Sequence, residues 1–132
     1  MREIEFRGKC IYNNEWIYGN LMQFEDSATF IFADERKGAS TLTYAHFIIN
    51  NMHAIDEKTG GQYTGLKDKI GKKIFEGDIG WNEHNECYGV VEFEEGNFLY
   101  VWKNIAEDLW EVADYIEICG NIHENLDLLE EQ

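Results

Sequence analysis

Residues 88–103 read YGVVEFEEGNFLYVWK, two runs of β-branched and aromatic residues on either side of Glu95-Gly96. The runs Tyr88–Glu94 and Asn97–Lys103 are of strand length, and a two-residue acidic-glycine link between such runs is a hairpin signal. An isolated hairpin is marginal in water, so further strands must pack with this one. Upstream, Ile79–Asn82 reads as a strand in which Gly80 marks a bulge or a close backbone approach. Downstream, Asn104 stands three residues before Glu107, the spacing of a capping box. Ile105, Leu109 and Val112 then recur at i, i+4 and i+7, which predicts an amphipathic helix over 105–113. Tyr115–Cys119 is a further strand, and Asn125 is placed to cap a last short helix through Leu126, Leu128 and Leu129. The four strands predict a mainly β architecture with a small SH3-like barrel in the C-terminal half, plugged at one end by the 105–113 helix.

The N-terminal half adds strands. Ile4 and Phe6 alternate with charged neighbours. KCIY (9–12) and EWIYGNLMQF (15–24) flank Asn13-Asn14, which tolerate left-handed backbone, and form a second hairpin. ATFIFA (28–33) is another strand, and 41–55 reads equally as a strand or a short helix. Asp68-Lys69-Ile70-Gly71 reads as a type I turn with a G1 bulge. A two-residue I′ turn would force β-branched Ile70 to positive φ, whereas the longer loop gives that position to Gly71. At 132 residues the chain reads as one domain, 1–132, with a subdivision into N-terminal strands (1–60) and a motif hairpin plus barrel-like part (61–132).

Composition narrows the function classes. The aromatic share of 14% and the hydrophobic share of 44% mark a core-forming chain. The net charge of −15 is lopsided: residues 1–75 carry ten acids and ten bases, and residues 76–132 carry sixteen acids against Lys103. Such a surface repels phosphates, so direct binding to DNA or RNA is not expected, and it attracts basic partners within a Debye length of about 8 Å. No apolar run reaches membrane-span length, and the start of the chain lacks a signal-peptide core, so no membrane association is expected and a cytoplasmic location is. Three cysteines without a CxxC pair (Cys10, Cys87, Cys119) fit free thiols in a reducing compartment. Proline is absent, which excludes PxxP ligands and stiff Pro-rich linkers.

Candidate chemistry is thin. His84-x-x-Cys87 with Cys119-x-x-x-His123 has acceptable spacing within each pair for a Cys₂His₂ site, but the pairs are loosely separated, and accidental placement is the stronger reading. Neither a GxGxxG nor a P-loop occurs. A Cys–His nucleophile needs convergence in space that residue types alone do not define. The reading therefore assigns no catalytic residue, no metal and no cofactor, and it leans away from an enzyme. Tyr100 and Trp102 are aromatics that could stack bases, although their surroundings have the wrong charge sign; a core or a subunit interface suits them better.

The run Gly61-Gln62-Tyr63-Thr64-Gly65-Leu66-Lys67-Asp68-Lys69, continued by Gly71-Lys72-Lys73-Ile74-Phe75-Glu76-Gly77-Asp78-Ile79, resembles the signature of the YopX family. Arg2-Glu3-Ile4-Glu5-Phe6-Arg7 and Gly120-Asn121-Ile122-His123-Glu124-Asn125 are similar to the family's ends, so the resemblance spans nearly the whole chain. It departs at Ile70, where the family's turn carries Asn, at Gly80, where a branched apolar residue is usual, and at Leu126, where Pro is common. The resemblance implies a β-rich protein of phages and prophages of Gram-positive bacteria, with no biochemical activity attached. Most of the motif reads as turns, core and a solvated hairpin, with Gln62, Tyr63, Thr64 and Asp78 as candidates for a binding groove. The expected function is a phage accessory protein: a non-catalytic, self-associating protein-binding module in the host cytoplasm, by default a symmetric homo-oligomer. The rivals are an acidic decoy for a basic nucleic-acid-binding protein and a small enzyme with a concave site.

Overall fold

A computed structural model describes residues 5–23, 29–32 and 52–130 and shows a mainly β protein. The chain divides into two compact units, Ile4–Gln62 and a second that holds Tyr63–Gln132.

In the first unit, β1 (Phe6–Lys9) pairs antiparallel with β2 (Trp16–Gln23), β2 with β3 (Thr29–Phe32), and β3 with β4 (Met52–Ala54). The expected hairpin forms with Lys9 opposite Trp16, and Asn14 takes the left-handed backbone (φ 59°). Of the ambiguous 41–55 stretch, Met52–Ala54 is strand; 41–51 lies outside the described residues, as does Ile4. A short 3-10 turn, Glu57–Thr59, leads into β5 (Gly61–Lys67), whose first residues Gly61 and Gln62 pair with Arg7 and Phe6.

In the second unit β5 continues against β6 (Lys73–Phe75), with Tyr63 opposite Phe75 and Lys67 opposite Lys73. The loop between them is the predicted bulged turn. The Gly71 N–H donates to the Asp68 carbonyl (3.0 Å), the Asp68 N–H donates to the Lys72 carbonyl (2.8 Å), and Gly71 has φ +88°. A five-stranded antiparallel sheet follows in the order β10-β9-β8-β7-β11. Its strands are β7 (Asp78–Asn82), β8 (Cys87–Glu94), β9 (Asn97–Trp102), β10 (Ile105–Asp108) and β11 (Ile116–Asn121). In the β8–β9 turn both Glu95 (φ 50°) and Gly96 (φ 83°) are left-handed, the I′ arrangement that suits the twist of a hairpin.

Three expectations are corrected here. Among the described residues no ladder joins the edge strands β10 and β11, so the sheet is open where a small barrel was anticipated. The helix predicted over 105–113 is shorter: Ile105–Asp108 is strand β10, and only Leu109–Val112 (α1) is α-helical, followed by a 3-10 turn at Ala113–Tyr115. Lys103 adopts φ 53°, turning β9 back so that Ile105 pairs with Trp102 and Glu107 with Tyr100. These cross-strand partners satisfy the backbone that a capping box would otherwise have used. The apolar period survives in the shortened helix and the turn after it: Trp110 is exposed, while Leu109, Val112 and Ala113 are buried. They join Ile74, Val91, Tyr100, Ile116 and Ile118 in one core cluster. The last helix, α2, is Asp127–Glu130. Asn125 does not cap it through its side chain as predicted; its Oδ1 accepts from the Asn121 N–H instead (3.1 Å).

Gly80 proves to be a close approach. It pairs with Gly89, the Tyr100 hydroxyl donates to its carbonyl at 3.0 Å, and a Cβ on it would meet the Tyr100 ring at 3.2 Å. The bulge of this sheet lies in β11, where the register shifts between Ile118 and Gly120.

Candidate functional site

The family motif builds its own scaffold. Buried Asp68 receives three backbone N–H groups: Ile70 (3.0 Å) and Lys72 (2.8 Å) on Oδ1, and Ile118 of β11 (2.8 Å) on Oδ2. The Lys69 N–H donates to the Ile116 carbonyl (3.0 Å), so the bulged loop is tied to β11 at two points. Asp78 is also buried and closes the Glu76-Gly77 turn by accepting the Phe75 N–H at 2.7 Å. Thr64 is fully buried; its hydroxyl donates to the Ile74 carbonyl (2.8 Å) and accepts the Leu66 N–H (3.2 Å). Tyr63 is buried against Phe75, with ring centroids 5.5 Å apart. Three of the four candidate groove residues are thus brought into the interior of the β5–β6–β7 region, and Gln62 is half-buried beside β1.

The metal candidates lie on varied surroundings. His84 is exposed in a loop and Cys87 is buried at the start of β8, while Cys119 is exposed at the β11 bulge. Among the described residues no group of three or more His, Cys, Asp or Glu side chains comes together. Among the described residues, two groups are shifted from their ordinary values. Burial, with smaller contributions from Cys87 and Cys119, holds the Tyr100 phenol well above the usual tyrosine range. The Cys119 thiol is pushed up by desolvation and by nearby Glu117, and its Sγ lies 3.5 Å from the Ile79 carbonyl. Tyr100, expected as a surface or core aromatic, is wholly in the core.

A concave surface of this unit lies elsewhere. A groove of about 500 Å³ is lined by Asn82, His84, Asn85, Trp102, Glu107, Glu111, Val112 and Tyr115. Three local devices build it. Buried Asn82 ends β7 and its Oδ1 accepts the N–H groups of His84 (3.0 Å) and Asn85 (3.4 Å), which shapes the β7–β8 loop. The β9–β10 hairpin brings Glu107 to Trp102, whose indole N–H donates to its carboxylate at 2.7 Å. Burial of Leu109 and Val112 fixes α1, leaving Glu111 exposed on it and Tyr115 exposed just beyond. Sequence reading singled out only His84 and Trp102 among these residues as candidates for chemistry, and for other roles, because the groove joins segments separated by up to 33 positions.

The Ile4–Gln62 unit has its own groove, about 630 Å³, lined among others by Ile11, Tyr12, Thr29, Phe30 and Ile55, with Lys9 and Asp56 of opposite charge on its walls. Neither Tyr100 nor Cys119 lines either groove.

These features define an antiparallel β protein of two units, with a carboxylate-bearing aromatic groove in the second. The family model described as YopX protein matches residues 5–130, and the chain belongs to the YopX family. The crystal structure of protein EF1440 from Enterococcus faecalis is similar in fold, with a TM-score of 0.59 and 24% identity over 98% of this chain and 99% of that one. No curated protein sequence matches the chain.

Proposed function

We propose that this is a phage or prophage accessory protein that acts in the host cytoplasm as a non-catalytic, self-associating protein-binding module. The observation that carries the reading is the exposed aromatic surface of the second unit: Trp110 is 68% and Tyr115 66% exposed, the latter on the rim of the acidic groove. Large aromatics left in water beside a concavity are the composition of protein interfaces. Exposed acids of the second unit sit on the 83–86 loop, β8, the β8–β9 turn, α1, the 3-10 turn after it and α2, that is, on several elements. That distribution favours local contacts with a basic protein over mimicry of a phosphate backbone. The test is the solution mass by light scattering at low and at high salt. Self-association predicts a salt-resistant multiple of 15.5 kDa, and a monomer at both salts would contradict it.

A further inference from the structure

We infer that the groove bounded by the β7–β8 loop, the β9–β10 hairpin and α1 receives an arginine side chain from a basic protein segment. The inference rests on the protein-binding reading and names the chemistry of the partner.

The lining decides the occupant. Glu107 and Glu111 supply two carboxylates, and no lysine or arginine is among the residues lining the groove. Residues 76–132 carry sixteen acids against Lys103, and Lys69, which reaches Glu83 on the β7–β8 loop at 3.9 Å, is not among the lining residues. A cation is therefore drawn in, and a phosphate or an acidic peptide is repelled. The apolar walls, Trp102, Tyr115 and Val112, fit the remainder of a long basic side chain: its methylene stem lies along apolar surface while its head reaches a carboxylate.

Arginine suits this wall better than lysine. Its guanidinium is planar, stacks on aromatic faces and offers paired donors to a carboxylate, whereas the lysine ammonium is a compact and strongly hydrated point charge. The Glu107 carboxylate is held by the Trp102 indole on Oε2. A carboxylate has about four acceptor positions, so the indole bond orients the group while leaving it able to accept further donors. The volume of about 500 Å³ admits a side chain with its flanking backbone. The groove of the first unit, with Lys9 and Asp56 both on its walls, selects no charge in this way.

The test uses the full chain and two fluorescein-labelled peptides, hexa-arginine and hexa-lysine, followed by fluorescence anisotropy. Two double variants remove the same charge. Glu107→Gln with Glu111→Gln changes the groove, and Glu92→Gln with Glu94→Gln changes exposed acids of β8 that do not line it. The expected result is tighter binding of hexa-arginine than of hexa-lysine. The groove pair should weaken hexa-arginine about tenfold and the β8 pair about twofold or less, since roughly 1.4 kcal/mol of contact corresponds to tenfold. Tyr115→Ala, at an exposed position that carries little folding risk, should also weaken hexa-arginine about tenfold if its ring stacks on the guanidinium. Equal weakening by the two double variants, or equal affinity for the two peptides, would overturn the assignment and leave diffuse charge as the cause. No binding by the unaltered protein would overturn it too. The light-scattering result is independent of all these outcomes, so failure here and failure of self-association are separable.

Discussion

The ring of Tyr100 occupies the space that a Cβ on Gly89 would need: such an atom would sit 2.7 Å from Cε2 and 2.8 Å from the hydroxyl oxygen. Gly89 lies on β8 opposite Gly80 on β7, and the pair of glycines forms a flat bed for the one fully buried tyrosine of the core cluster. The Gly89→Ala variant should therefore lose about 1–3 kcal/mol to overpacking. Urea unfolding would show it as a lower midpoint. Pairing the change with Tyr100→Leu should give a double variant less destabilised than the sum of the singles, because both act on one contact.

Tyr100 also gives the fold a basic limit. Burial raises its pKa, so the native state keeps the phenol neutral while the unfolded chain ionises near the ordinary value of 10.0. Its contribution is complete below pH 10 and is lost as pH rises above it, at about 1.4 kcal/mol per pH unit for one proton. Urea midpoints between pH 9 and 11 should fall less steeply for Tyr100→Phe than for the parent. The variant should start lower by about 1 kcal/mol for the lost bond to Gly80.

Asp68 links a local turn to a strand fifty positions away. An asparagine there keeps one acceptor oxygen but turns an N–H₂ toward at least one of the three backbone donors. Asp68→Asn should cost about 1.5–3 kcal/mol, the range for buried bonds to a charged group. Amide exchange should report faster exchange at Ile118 and Lys72 in the variant. Unchanged protection at both would contradict the assigned network.

The thiols should react in a set order. Cys10 and Cys87 are buried and Cys119 is exposed, so alkylation of the native protein should mark Cys119 first. Its raised pKa lowers the thiolate fraction. Iodoacetamide at pH 8 should therefore modify Cys119 more slowly than it modifies glutathione, as followed by peptide mass spectrometry, and should reach Cys10 and Cys87 only on unfolding.

What could be read in advance was local. Glu95-Gly96 and Asp68–Gly71 announce their turns because the backbone they need is encoded in two to four adjacent residues. The Ile105–Val112 spacing misled because the β9–β10 ladder competes with a helix there. The Trp102–Glu107 bond and the pairing of Ile105 with Trp102 consume the first turn that the capping box would have formed. Burial of Tyr63, Thr64 and Asp78 was equally hidden, since a polar residue in a motif looks the same whether it binds a ligand or closes a turn. The groove escaped detection for a related reason: Asn82, Trp102 and Glu111 share no period and meet only through the β7–β8 and β8–β9 ladders and the packing of α1.

The central claim, that a basic partner enters beside Trp102 and Glu107, has a direct spectroscopic reporter in the Trp102 indole N–H, which donates to Glu107. A ¹⁵N-labelled sample titrated with hexa-arginine should show this resonance moving saturably while the indoles of Trp16 and Trp81, which do not line the groove, stay in place. Equal movement of all these indoles, or a stationary Trp102 under conditions where the peptide binds, would contradict the account.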